Sequence, residues 1–289
     1  MVVMSDRTRQ NYEITIKRIR DNVAPGSSGL SFLRETEKVV AWIEGQSWAV
    51  NTKKAAYIAL KSVLRDMGDP DLREAEKTYE TQMLRYRDEH EKVAQSQLMS
   101  EREKALYVPW GDILKAEQKL YESVATLMDY QDYVIYCLYT MVPPMRLDYS
   151  PMRVVNSLEE AKDVSGNCLV CGKHYKFLFR EYKTAGKYGE LELDIPRRLQ
   201  RVLEGWLELN PSGWLLCDRR GRPLDEKSLG IYLSSVMKSA VGKPLGCSML
   251  RHAYITYQRK GEKTLAQQKD MAKRMAHSIN MSQLYRRID

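Results

Sequence analysis

Cysteine is scarce in this chain: five residues among 289, and an odd number. That count excludes the disulfide framework that staples small secreted domains. The opening MVVMSDRTRQ turns polar after its first few positions, so no secretory leader is read there. Free thiols in a reducing, intracellular compartment are expected. Long apolar runs are missing too. The stretch around Tyr133–Met145 is too short and too interrupted to span a bilayer, and no membrane partner is expected. No self-similarity recurs at the roughly 20–50-residue periods of solenoids and propellers. A second cysteine pair is also lacking. Cys168 and Cys171 form a CxxC with His174 nearby, but a structural zinc needs about four ligands. Two ordinary thiols in or beside a hairpin are the preferred reading, with no metal and no cofactor.

What is present is a sizeable apolar fraction and an excess of positive charge. Hydrophobic residues make up 43%, enough for a real core, and the net charge is +8 with basic residues spread along the whole length. Such a balance favours a polyanionic partner, nucleic acid first. The first hundred residues read as four helices with basic outer faces. Ser5 can cap the first, where Tyr12, Ile16 and Ile19 fall at helical spacing, before APGSSG breaks the pattern. A second runs from about Ser31 to Glu44, with Phe32, Val39, Val40 and Ile43 inward. Asn51 or Thr52 can cap a third carrying Tyr57, Leu60, Val63 and Leu64, and GDPD opens a charged fourth over about 71–97. The stretch 98–110 reads as a linker punctuated by Pro109, which gives an N-terminal domain over 1–97 and a second domain over 111–289.

The second domain opens with helices over 111–128 and 129–141, the latter largely apolar and stopped by Pro143 and Pro144. From about Cys168 the period becomes strand-like. KFLFREYKT, the turn AGKYG and ELELDIP describe an antiparallel hairpin with Lys183 and Lys187 flanking its tip. Helices return over 197–207, 225–240, 248–259 and about 264–276. Trp110, Trp206 and Trp214 read as core or helix-edge anchors. The fold expected is mainly α with a small antiparallel β-sheet, in two domains.

The last forty residues carry the chemistry. SMLRHAYITY places Arg251 and His252 in a helical run, and AKRMAHSINMSQLY places His277 shortly before Tyr285. A tyrosine hydroxyl can attack a phosphodiester while cationic donors hold its oxygens. A lone tyrosine near a C-terminus is usually a packing residue; the preceding LRH and HS make a nucleophile the better reading. Upstream, PPMRLDY supplies Arg146 and the hairpin supplies Lys183.

In this order, Arg146, Lys183, Arg251, His277 and Tyr285 resemble the tyrosine recombinases, or phage-type integrases, and through them the type IB topoisomerases. The resemblance covers the whole chain and implies a helical core-binding domain followed by an α+β catalytic domain, closing as a clamp on duplex DNA. It implies site-specific DNA recombination or integration through a 3′-phosphotyrosyl bond at Tyr285, with a free 5′-hydroxyl. Arg146 and Arg251 would clamp the non-bridging oxygens, His277 would donate to the phosphate, and Lys183, preferred over Lys187 for its place in the KT dipeptide, would protonate the leaving oxygen. His252 would support the site or pack. Neither ATP nor a metal is required, and the partners implied are double-stranded DNA and a tetramer on it formed from monomers. A compartment with access to DNA follows, and a mobile element or virus is a frequent home for the family.

Three departures stand out. The family has a histidine three residues before its second arginine, where this chain has Ser248, which can donate to phosphate but cannot shuttle protons. The family's first arginine precedes an acidic residue by three positions; counting back from Asp148 lands on Met145, so Arg146 serves through a local shift or the first arginine is missing. Only four residues follow Tyr285, so exchange of a C-terminal tail between protomers is not expected. A type IB topoisomerase-like relaxing enzyme and a degenerate, non-cleaving DNA-binding protein remain as alternatives.

Overall fold

The computed structural model describes residue 4 and residues 6–259 and 263–287. It divides into two compact units, Met1–Ser96 and Gln97–Asp289. Ser5, the expected first cap, lies outside the described residues.

The first unit holds α1 (Asp6–Val23), α2 (Thr36–Glu44), α3 (Val50–Met67) and α4 (Arg73–Ser96). The run expected as one helix from Ser31 splits into a 3-10 turn, Ser31–Arg34, and α2. Ile16 and Ile19, Val39 and Ile43, and Tyr57, Leu60 and Leu64 meet in one core, closed by Tyr79 and Tyr86 from α4. Asn51 and Thr52 do not cap α3, which starts at Val50 with Ala49 as its N-cap. Trp48 and Val50 pack on the core and fix the chain's entry there, so tertiary packing overrides the capping preference.

Glu44, at the end of α2, ties three helices together. Its carboxylate accepts from the Tyr57 hydroxyl at 2.9 Å and from the Tyr86 hydroxyl, and Lys53 lies 3.8 Å away. The two tyrosine rings stack with centroids 5.9 Å apart.

The second unit begins with α5 (Glu101–Leu106), inside the stretch read as a linker. A reciprocal cap nucleates it: the Ser100 hydroxyl accepts from the Glu103 amide, and the Glu103 carboxylate accepts from the Ser100 amide. Short helices α6 (Trp110–Lys115) and α7 (Glu117–Glu122) precede the central α8 (Leu127–Thr140). Every residue of α8 from Tyr133 to Thr140 is buried, as expected of a helix apolar all round. Around it pack α11 (Arg197–Leu209), α12 (Glu226–Val241) and α13 (Cys247–Gln258), followed in the chain by α14 (Leu265–Arg274) and α15 (Ile279–Tyr285).

The chain between α8 and α11 forms one four-stranded sheet in the order β1-β2-β3-β4: β1 (Met152–Val155), β2 (Asn167–Val170), β3 (Lys176–Phe179) and β4 (Leu191–Asp194). The expected mainly α architecture with a small sheet is what the chain adopts, and the hairpin is β3–β4, with Phe177 opposite Leu193. The sheet is mixed rather than purely antiparallel. Strand β1 runs parallel to β2, across a crossover containing α9 (Leu158–Lys162), as parallel neighbours require. The expected AGKYG turn is a helical turn, α10 (Ala185–Tyr188), closed by Gly189 at a φ of 68°.

Trp206 is fully buried, and its indole donates to the Leu215 carbonyl at 2.8 Å. Trp110 is buried as well, whereas Trp214 lies half-buried under the Arg153 guanidinium. Cys168 is buried with Val155, Ala161, Val170 and Leu178, and no group of three or more metal-ligating side chains occurs among the described residues. No described helix is long and apolar enough to cross a membrane.

Replacing Glu44 by alanine strands the fully buried Tyr57 hydroxyl. The expected loss is about 1–3 kcal/mol, read by chemical denaturation of the full chain. A change under about 0.5 kcal/mol, the range of ordinary surface substitutions, would show that the carboxylate does not hold the helices together.

Candidate active site

Helix α13 turns Met249, Leu250, Ala253 and Ile255 into the core and takes Arg251 with them, at 1% exposure. A buried guanidinium is tolerated only when its donors are answered. Nη1 donates to the Pro144 carbonyl at 2.9 Å, and Nη2 donates to the Met275 carbonyl at 3.1 Å and to Nδ1 of His277 at 2.9 Å. The double proline that stops α8 therefore supplies one anchor, and the end of α14 supplies the others.

That end is sharply turned. Ala276 has a φ of 50°, the left-handed region that costs a residue with a Cβ roughly 1–2 kcal/mol. The turn is held by the Ala276 amide on the Lys273 carbonyl at 2.9 Å and the His277 amide on the Ala272 carbonyl at 3.1 Å. It brings both the Met275 carbonyl and the His277 ring to Arg251.

A guanidinium offers donors only, so Nδ1 of His277 is the acceptor and its ring proton resides on Nε2. Burial first, then the positive charges of Arg251 and Arg146, push the His277 pKa down to about 3. The ring is neutral near pH 7. Within this cluster two buried donors, Nε2 of His277 and Nε of Arg251, have no partner among the described residues. Unanswered donors of this kind cost about 1–3 kcal/mol each and suit an acceptor-rich group.

Tyr285 is the last residue of α15, whose first turn is capped by the Ser278 hydroxyl accepting from the Met281 amide. Its half-buried ring lies over the Arg251 guanidinium at 5.0 Å, 5.6 Å from the His277 ring and 4.8 Å from the His252 ring. Nδ1 of His252 faces the Tyr285 carbonyl at 2.7 Å, so His252 braces the backbone of the tyrosine.

Arg146 is half-buried in the loop after α8, where its carbonyl accepts from the Tyr139 hydroxyl at 2.7 Å. Its charge is felt by both Arg251 and His277, while Met145 is buried in the core. Asp148 is buried nearby, its carboxyl pushed up by burial against the pull of Arg146 and Arg251.

Ser248 is exposed one helical turn before Arg251. Lys183 is exposed in the loop after β3, and the next residue anchors that loop: the Thr184 hydroxyl donates to the Ala276 carbonyl at 3.0 Å, adjacent to His277. Lys187 lies against the Tyr188 ring at 5.3 Å. The carbonyls of Pro144 and Met275 and the Thr184 anchor had no signal in the sequence, because each depends on where distant backbone is brought.

No family model matches the chain, and no curated protein matches it. Solved structures do. The Tn1549 transposon integrase in complex with transposon right end DNA aligns with a TM-score of 0.60 at 12% identity, over 100% of this chain and 91% of that one. A lambda integrase dimer bound to a COC′ core site aligns at 0.53 and 17% identity, over 98% and 72%. The XerH site-specific recombinase bound to palindromic difH substrate aligns at 0.50 and 16%, over 98% and 74%. These neighbours are tyrosine recombinases and integrases, and the chain has their fold.

His277 and His252 stay neutral in the fold, with pKa values pushed down by burial to about 3 and about 4. Below an ordinary histidine value of about 6.5 the unfolded chain therefore binds protons that the folded chain refuses, and stability is lost as pH falls. Between pH ~6.5 and ~4.5, His277→Gln should shrink that loss by about 2 kcal/mol, measured by denaturation at both values. An unchanged loss would mean that His277 is protonated in the fold.

Proposed function

We propose that this chain is a site-specific DNA recombinase or integrase that cleaves and rejoins double-stranded DNA through a 3′-phosphotyrosyl intermediate at Tyr285. The observation that carries this reading is the buried Arg251 guanidinium, braced on one side by His277 and covered on the other by the Tyr285 ring. The unanswered Nε of Arg251 and Nε2 of His277 are suited to phosphate oxygens, and Arg146 adds charge where it develops. Ser248 stands on the same helix as a further donor.

In this mechanism the phenol oxygen of Tyr285 attacks phosphorus, its proton passing to solvent water, as the P–O5′ bond breaks. Lys183 gives a proton to the leaving 5′-oxygen. The phosphotyrosyl ester conserves the energy of the broken linkage, and a 5′-hydroxyl attacking it reverses each step, so no nucleotide hydrolysis is called for. The first unit would serve as the core-binding domain, and the protein would act as a tetramer on DNA, in a compartment with access to it. Binding that rests on lysine and arginine contacts to phosphates would fall steeply with salt.

The test is covalent trapping on a pool of nicked duplexes drawn from DNA flanking the gene. Wild type should give a protein–DNA band on a denaturing gel that is absent in Tyr285→Phe, and Arg251→Ala should slow its formation roughly a hundredfold or more. Salt-sensitive binding with no band would instead identify a non-cleaving DNA binder. Relaxation of a supercoiled plasmid lacking any special site would identify a topoisomerase-like enzyme.

A further inference from the structure

Helix α15 has seven residues, shorter than a helix that holds itself in water, and its last carbonyls have no partners within the helix. Side chains take them one after another. Gln97 donates to the Gln283 carbonyl at 2.9 Å, Arg287 Nη1 to the Leu284 carbonyl at 2.8 Å, and His252 Nδ1 to the Tyr285 carbonyl at 2.7 Å. Because Nδ1 of His252 faces a carbonyl, it carries the ring proton, and Nε2 is left as an acceptor. That acceptor faces Arg287 Nη2 at 3.1 Å.

Arg287 is itself fixed. Its Nε and Nη2 lie 3.1 and 2.8 Å from Oε1 of Glu103, and its amide donates to the Thr256 hydroxyl at 2.9 Å. The other oxygen of Glu103 caps its own helix, accepting from the Ser100 amide and hydroxyl at 2.9 Å each. The Arg287 and Glu103 side chains are 14% and 25% exposed, well inside the range where ion pairs act through geometry rather than as screened surface charges. Burial pushes the Glu103 carboxyl up, yet hydrogen bonds from Ser100 and Arg287 outweigh it and hold the pKa down to about 2. Carboxylate, guanidinium, neutral imidazole and carbonyl thus form one chain of donors and acceptors ending on the backbone of Tyr285.

We propose that Glu103 and Arg287 are positioning residues for the Tyr285 nucleophile, acting through His252 to lock the last turn of its helix over Arg251. This rests on the reading of Tyr285 as the attacking group. Neither residue touches the reacting atoms, and their opposite charges answer each other. Their loss should therefore displace the phenol without weakening the grip on DNA, and a displacement of about 1 Å is enough for a roughly hundredfold loss of rate.

The experiment measures single-turnover cleavage of the trapped substrate and DNA affinity, side by side, for Glu103→Gln, Arg287→Ala and Arg287→Lys. The expected result is a cleavage rate lowered roughly ten- to a hundredfold in the first two, partial recovery in Arg287→Lys, and affinity within about twofold of wild type. Hydrogen exchange of the amides over 282–287 should quicken in the same variants while exchange in α8 stays unchanged. Wild-type cleavage rates in both Glu103→Gln and Arg287→Ala, or a loss carried wholly by affinity, would overturn the positioning role while leaving the recombinase reading intact. Wild type that binds DNA and never cleaves it would overturn both. Should Arg287→Ala fail to fold, Glu103→Gln, which keeps the volume of the side chain, decides alone.

Discussion

Burying a guanidinium is unfavourable unless its donors are met by fixed acceptors, and the second unit is organised around meeting those of Arg251. One acceptor is the Pro144 carbonyl, placed where two prolines end the central helix α8. Another is the Met275 carbonyl, presented by a left-handed Ala276. The third is a histidine nitrogen whose neutrality is enforced by the same burial. Backbone carbonyls cannot rotate independently of their chain, so two distant segments, the loop at Pro144 and the turn over 275–277, must be in place before the arginine is stable. The arrangement gives a charge held rigidly, with one donor edge still unspent.

Rigidity there contrasts with the tyrosine. Tyr285 rides on a short helix at the end of the described chain and owes its place to contacts from outside that helix: the Arg251 face, two imidazole rings, and the Glu103–Arg287–His252 relay. The guanidinium is thus held by backbone carbonyls, while the tyrosine is held by side chains from outside its own helix.

The sequence carried the larger features because they rest on periodicity and on short ordered motifs. Buried faces at Ile16, Ile19, Val39, Ile43 and Leu60 follow from helical spacing, and the β3–β4 hairpin follows from alternation in ELELDIP. LRH and AHS pointed to Arg251 and His277, which the fold brings within hydrogen-bonding distance. Strand β1 carries no such signal, and β2 shows only as the strand-like period beginning near Cys168, since four-residue buried strands such as NCLV have no alternation to detect. Helix α15 was equally silent, because INMSQLY is too short for a period to emerge. The Ser100–Glu103 capping signature was present in the text of the chain and announces α5 inside a stretch that otherwise reads as a linker. Counting back from Asp148 lands on Met145, which the core takes, while the neighbouring Arg146 is half-buried. Which of two neighbouring residues is buried depends on packing, which a linear pattern does not encode.

On the proposed reading the phenol oxygen of Tyr285, and no other nucleophile, is carried to phosphorus by the Arg251 site. It is tested most directly by isolating the trapped protein–DNA adduct, digesting both components, and sequencing the modified peptide by mass spectrometry. The expected product is a nucleotide joined through its 3′-phosphate to Tyr285 in the peptide containing MSQLY. An adduct on a different side chain, or one joined through a 5′-phosphate, would contradict it.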